Sequence, residues 1–101
     1  MKIRTGQRLR SATCDAEVMV LRAPADDVDL RCGGHPVHDR LVSADPAPLD
    51  DAFAGGTELG KRYVNEDGSL ELLCVHAGKG SLSVGSTPLQ IKSAQPLPAS
   101  D

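Results

Sequence analysis

The second half of the chain repeats the sequence pattern of the first, and this internal repeat constrains the fold more than any other feature. Shifting the sequence by 54 residues aligns residues 6–23 with residues 60–77 without a gap. Gly, Arg, Glu and Ala recur at matching positions, and the apolar VMVL coincides with LLCV. A fixed offset of this kind is typical of a duplicated structural unit. The alternative is that two turn-rich β segments look alike because turns demand the same residues.

The similarity continues beyond the ungapped stretch. With two residues removed from a turn, DLRCGGHPV aligns with SLSVGSTPL and keeps Leu, Gly and Pro in the same order, and a second two-residue slip places SADPAP on SAQPLP. The repeat therefore predicts four parts: a first β-ribbon repeat over residues 1–48, a linker over 49–59, a second β-ribbon repeat over 60–98, and a tail over 99–101.

Within each copy the pattern predicts strands. Residues 17–23 and 70–75 are short apolar runs bounded by turn residues, as expected for the central strands of a sheet. Each run leads through a turn, APADD or AGKG, into a second short strand, over residues 28–32 or 81–84. The glycines of AGKG are expected to supply the positive φ of a tight hairpin. Each copy is thus a small β meander, and the fold class is all-β.

Composition narrows the function classes. Phe53 and Tyr63 are the only aromatic residues, so the core must be aliphatic. A formal charge of −3 gives no field that would gather nucleic acid or an anionic membrane. We find neither the apolar segment of a secretory signal nor one long enough to span a membrane. Three cysteines suit a reducing compartment better than a disulfide framework, so we expect a cytoplasmic protein.

The linker sequence, LDDAFAGGTEL, indicates a flexible connection because it contains Gly55-Gly56 and an Asp pair. Within it, residues 47–53 are long enough for one helical turn, with Asp50 as a possible cap.

The aligned copies share a further spacing. A Gly is followed three residues on by Leu or Tyr, then by two positions three apart, an apolar strand, a Gly-containing turn, Leu, and two adjacent positions. This spacing resembles desulforedoxin and the N-terminal domain of desulfoferrodoxin, which belong to the rubredoxin-like ribbons. The resemblance implies two tandem ribbons packed about a pseudo-twofold axis as a single unit. It also implies metal-ligand positions, which are here Ser11, Cys14, Cys32 and Gly33 in the first copy and Asn65, Gly68, Val84 and Gly85 in the second.

Only two of those eight positions hold cysteine, so most of the family's ligands are missing. The remaining candidate metal site consists of Cys14 and Cys32 with His35 or His38, a set that zinc or iron can accept. Two further interpretations stay open. The two cysteines can lie near each other and form a disulfide, or both can be buried as small hydrophobic residues.

No catalytic set stands out, and we expect the protein not to be an enzyme. Cys74 and His76 share one face of a strand and could form a thiol nucleophile, but Cys74 aligns with Val20, an apolar core position. The Asp pairs at 26–27 and 50–51 lie in polar turns without apolar surroundings that would tune a carboxyl pKa.

The leading functional prediction is a small accessory or protein-interaction module, without a cofactor, that binds a larger protein or another copy of itself. The alternative is an iron- or zinc-binding rubredoxin-like protein, for electron transfer or with a structural metal, that uses Cys14, Cys32 and His35 or His38.

Overall fold

The computed structural model describes residues 1–92, and they form short antiparallel strands joined by turns. The prediction of an all-β fold is confirmed. The strands are β1 (Arg8–Arg10), β2 (Glu17–Arg22), β3 (Leu30–Cys32), β4 (His35–Pro36), β5 (His38–Asp39), β6 (Arg62–Val64), β7 (Glu71–His76), β8 (Leu82–Val84), β9 (Thr87–Pro88) and β10 (Gln90–Ile91).

The strands form two sheets, and each contains strands from both halves of the chain. The six-stranded sheet has the order β10-β6-β7-β2-β1-β5, and the four-stranded sheet has the order β4-β3-β8-β9. The two longest strands, β2 and β7, pair with each other at the centre of the larger sheet. Their apolar sequences predicted a central position for each. The smaller sheet is centred on the pairing of β3 with β8.

Both strand orders are symmetric about these central pairs. Adding 54 to the residue numbers of β1 and β2 gives β6 and β7, and adding 52 to those of β3, β4 and β5 gives β8, β9 and β10. The offsets are those of the sequence alignment. Each half therefore supplies the same five strands in the same order. Descent from a duplicated rubredoxin-like ribbon, with the packing that this implies, stays a prediction.

A single, mainly aliphatic cluster includes residues from both sheets and from both halves of the chain. In the larger sheet Val18 lies opposite Cys74 and Val20 opposite Leu72, and all four are buried. Leu30 and Leu82, in the smaller sheet, belong to the same cluster. Because a buried aliphatic side chain contributes about 1.5–3 kcal/mol, removing one half would take from the other half part of the apolar burial that stabilises it.

The segment predicted as a linker is bonded to both halves. Asp50 caps a short 3₁₀ turn at Asp51–Phe53, where its side chain accepts a hydrogen bond from the Ala52 N–H at 2.9 Å. The Asp50 N–H donates to the Gly33 carbonyl, and the Phe53 carbonyl accepts from the Ser81 N–H. The helical turn and its cap are thus present over fewer residues than expected, in a segment with fixed contacts rather than a free tether.

The expected role of the AGKG glycines is wrong. Neither Gly78 nor Gly80 has a positive φ. Instead, both lie where a side chain would collide: a Cβ on Gly78 would come 2.5 Å from the Ala16 nitrogen and 2.7 Å from the Cys14 sulfur, and one on Gly80 would come 2.9 Å from the Gly33 Cα. These glycines are required by close packing between the two halves.

Two strands begin later than the sequence predicted. β3 begins at Leu30 and β8 at Leu82, because the residues before them belong to the connecting turns. The end of the second repeat, residues 93–98, and the tail at 99–101 lie outside the described residues. Within residues 1–92 no helix has the length and apolar character needed to cross a membrane.

Candidate thiol site

The fold brings Cys14 and Cys32 together, although 18 residues separate them in the chain. Cys14 lies in the loop between β1 and β2 of the larger sheet, and Cys32 ends β3 of the smaller sheet. Their sulfur atoms are 4.0 Å apart. Cys32 is only 1% exposed, whereas Cys14 is partly accessible to solvent. The site therefore contains one accessible thiol in van der Waals contact with one buried thiol.

Hydroxyl groups from the same loop surround the two sulfur atoms. The Cys14 thiol donates to Ser11 Oγ at 3.4 Å, and Ser11 Oγ also accepts from the Thr13 N–H at 3.0 Å. Thr13 Oγ1 donates to the Cys32 carbonyl at 3.2 Å. These bonds hold the loop against the end of β3. We call Ser11, Thr13, Cys14 and Cys32 the dithiol site.

The second half of the chain completes the dithiol site. The Gly80 N–H donates to the Cys14 sulfur at 3.4 Å, across 66 residues of sequence. The Gly80 carbonyl in turn accepts a 2.6 Å hydrogen bond from the buried Thr57 hydroxyl, which fixes the orientation of this peptide segment. The Gly33 N–H donates to the Ser81 carbonyl at 3.0 Å. The environment of the thiols therefore depends on the packing of the two halves.

The two thiols differ in acidity because their surroundings differ. Burial acts to raise the pKa of Cys14, but hydrogen bonds from Ser11, the backbone of Ala16 and Gly80, and Thr13 outweigh it, so that the pKa lies below its usual value. Burial raises the pKa of Cys32 to about 12, and a negative charge on Cys14 acts in the same direction. Cys14 is thus the thiol that ionises first.

The two histidines proposed as metal ligands lie in two different sheets. His35 is in β4, opposite Cys32 in the register of the hairpin. His38 is in the edge strand β5, opposite Arg10, and its Nδ1 lies 3.0 Å from the Asp39 carbonyl oxygen. Both are partly exposed.

The dithiol site supplies fewer ligands than a closed metal site needs. Zinc and iron in structural sites take four protein ligands, and within residues 1–92 no group of three or more His, Cys, Asp and Glu side chains is placed to share an ion. Of the ligand positions implied by the resemblance, Ser11 now binds Cys14 through its hydroxyl, and a side chain on Gly33 would collide with Thr13 Oγ1. Metal binding through Cys14, Cys32 and a histidine stays a prediction, which elemental analysis tests.

The third cysteine belongs to the core. Cys74 is buried in β7, opposite Val18, and its thiol donates to the His76 carbonyl at 3.1 Å. Burial raises the pKa of Cys74 and outweighs a backbone hydrogen bond from His76 that acts in the opposite direction. The position aligned with Val20 is therefore a packed apolar position, as the repeat predicted, and Cys74 provides an internal reference for the other two thiols.

An open groove of about 840 Å³ runs past the accessible side of the dithiol site. Cys14 lines it together with Arg10, His38, Leu41 and Val42. The groove follows the edge of the larger sheet at β5. It gives molecules in solution a route to Cys14, whereas Cys32 stays behind it.

The groups that surround the two thiols could not be identified from the sequence. Thr13, Thr57 and Gly80 carried no recognisable motif, and Gly80 was assigned to a hairpin on local grounds. The repeat itself held the only usable signal: it aligned β3 with β8, but their pairing, which brings Gly80 to Cys14, is a tertiary property.

No protein-family model, no curated protein and no solved structure matches this chain.

Proposed function

We propose that this protein is a small accessory module without catalytic activity, which docks on a larger protein through the edge of its six-stranded sheet. The observation that carries the proposal is a pair of exposed apolar side chains directly after the edge strand β5. Leu41 is 90% exposed and Val42 is 55% exposed. Adjacent exposed apolar side chains beside a groove are typical of interaction surfaces.

The edge strand offers a second means of recognition. β5 pairs with β1 on one side only among the described residues. Such an edge presents backbone N–H and C=O groups to which an extended segment can add as another strand. Leu41 and Val42 would then contact apolar side chains of that segment. Burial of both would contribute about 1.5–3 kcal/mol each, before the costs of association are subtracted.

The fold provides a matched control for this surface. Leu59 is also largely exposed, at 66%, but lies in the turn before β6, in the second half of the chain. We would first identify proteins cross-linked to the chain in its native host, and then measure binding of the purified partner. The double variant Leu41→Asp with Val42→Asp should weaken binding at least about tenfold, while Leu59→Asp should leave the affinity unchanged.

Three results would overturn this proposal. Equal losses in the double variant and the Leu59→Asp control would remove the assigned surface. A stable dimer broken by the double variant would make a second copy of the chain the occupant. Stoichiometric iron or zinc in mildly purified protein, lost on Cys14→Ser, would favour the metalloprotein alternative instead.

A further inference from the structure

We propose that Cys14 and Cys32 form a reversible redox pair that exchanges with low-molecular-weight disulfides, with Cys14 as the attacking thiol and Cys32 as the resolving thiol. This inference rests on the dithiol site and on the groove that leads to Cys14. It does not require a protein partner bound at Leu41 and Val42.

The separation of the two sulfur atoms is the first support. They lie 4.0 Å apart, and a disulfide needs about 2.05 Å. The approach of about 2 Å can be shared between rotations of both side chains and movement of the loop that carries Cys14. That loop lies between β1 and β2, so the strand pairing of the two sheets can remain intact while it moves.

The unequal exposure of the two thiols is the second support. An incoming disulfide can reach Cys14 along the groove, whereas Cys32 is buried behind it. A pair of this kind reacts in a fixed order, because only one sulfur can be attacked or can attack from solution. The lowered pKa of Cys14 adds thiolate at the accessible position.

The glycines contributed by the second half are the third support. Gly78 and Gly80 lie against the sulfurs of Cys14 and Cys32, and a Cβ on Gly80 would come 3.2 Å from the Cys32 sulfur. Neither glycine has a positive φ, so hairpin geometry does not account for them. Their lack of a side chain leaves room beside both sulfurs and lets the Gly80 N–H bond to Cys14.

The exchange balances as two successive thiol–disulfide steps. The Cys14 thiolate attacks one sulfur of a disulfide RSSR, forming a Cys14–SR mixed disulfide and releasing one thiolate RS⁻, which takes up a proton. The Cys32 thiol then loses its proton to solvent and attacks the Cys14 sulfur, which forms the Cys14–Cys32 bond and releases the second RS⁻. Overall, one protein dithiol is oxidised by two electrons and one RSSR is reduced to two RSH. The reverse sequence restores the dithiol.

The test is a redox titration of the full-length protein. The chain is equilibrated in glutathione buffers of increasing disulfide content, after treatment with a chelator, and free thiols are alkylated before peptide mapping. We expect a Cys14–Cys32 disulfide. The ratio of oxidised to reduced protein should rise in proportion to the concentration of glutathione disulfide divided by the square of the glutathione concentration, as for a two-electron exchange. Added thiol should fully reverse it. Cys74 should remain alkylatable after unfolding at every ratio.

Variants assign the order of the steps. Cys32→Ser should stop at a glutathione adduct on Cys14, at about one equivalent, because nothing resolves it. Cys14→Ser should leave Cys32 unmodified over the same time. Cys74→Ser is the matched control and should titrate like the natural sequence.

The natural sequence alone can overturn the proposal, so a variant that fails to fold does not remove the test. A folded protein that shows no Cys14–Cys32 disulfide in the most oxidising buffer would contradict it. So would adducts distributed equally among the three cysteines, or a disulfide that involves Cys74.

Discussion

The loop of the dithiol site and its counterpart in the second half occupy equivalent places in the strand pattern but are held differently. At the offset of 54, Ser11 and Cys14 correspond to Asn65 and Gly68. Asn65 closes its own loop, because its Oδ1 accepts from the Leu70 N–H at 3.0 Å and its Nδ2 donates to Ser69 Oγ at 3.0 Å. The first loop also has internal hydrogen bonds among Ser11, Thr13 and Cys14, but it makes further ones to β3 and to Gly80 of the second half.

The turns that follow β2 and β7 also differ between the halves, in whether they carry glycine. The second-half turn has Gly78 and Gly80, whereas the first-half turn has Pro24 and Asp26 at the matching positions. A Cβ cannot be added at Gly78 without approaching the Cys14 sulfur, but nothing comparable is needed where Gly68 replaces that cysteine. One scaffold thus supports two different loops. The loop of the second half is closed mainly by Asn65, with one bond from Arg22 of the first half to the Gly68 carbonyl, and the loop of the first half forms a site with residues from both halves.

The largest expected effect concerns the dependence of each half on the other. Separate fragments 1–59 and 60–101 should each lack cooperative thermal unfolding, because β2 pairs with β7, β3 pairs with β8, and the core is shared. Circular dichroism of each fragment, alone and mixed, measures this. Cooperative unfolding of one isolated fragment would show that this half folds without the other, which would contradict their expected dependence.

A smaller effect is expected where the second half packs against Cys14. Gly78→Ala should lower the free energy of unfolding by about 3 kcal/mol, because the new methyl group meets the backbone nitrogen of Ala16, which cannot rotate away. Urea denaturation monitored by circular dichroism gives the value. Gly55→Ala is the control, because Gly55 lacks a positive φ and its nearest neighbour would be 3.9 Å from the Cβ.

An unchanged Gly78→Ala variant would mean that the close approach of the halves is not required for stability. If Gly55→Ala were destabilised equally, the loss would have to be attributed to glycine replacement in general and not to contact with the dithiol loop.

The smallest effect should be equal in the two halves. Glu17 and Glu71 occupy matching positions, and both are buried against two basic side chains that are about half exposed: Arg8 and Arg10 for Glu17, and Arg62 and Lys92 for Glu71. Glu17→Gln and Glu71→Gln should each cost about 1 kcal/mol, since these are partly solvated ion pairs. Chemical denaturation at low and high salt measures both. If the two variants lost clearly different free energies of unfolding, the two halves would be equivalent in their backbone but not in these ion pairs.

Much of the fold could be predicted because the repeat and the apolar runs are local properties of the sequence. The central positions of β2 and β7 followed from VMVL and LLCV, and the Asp50 cap followed from residue type. The pairing of β3 with β8 could not be predicted, because it depends on how two meanders pack. The role of Gly78 was misassigned for the same reason: a glycine required by a distant neighbour resembles a glycine required by its own turn.

The candidate site was predicted in part. The resemblance to the rubredoxin-like ribbons singles out Cys14 and Cys32, and the structure places their sulfur atoms 4.0 Å apart. Neither their unequal burial nor the groups contributed by Gly80 and Thr57 could be read from the sequence, because these arise from contacts between residues that are far apart in the chain.

The most direct test of the central claim, that both halves assemble one accessible reactive thiol beside a buried one, is the rate of iodoacetamide labelling at each cysteine as a function of pH. Thiolate is the reacting form, so a lowered pKa shifts the labelling profile to lower pH. In the folded, reduced protein, Cys14 should be labelled first, with its profile below that of a free cysteine, while Cys32 and Cys74 stay protected below about pH 9. Equal labelling of all three thiols, or labelling of Cys74 before Cys14, would contradict the account.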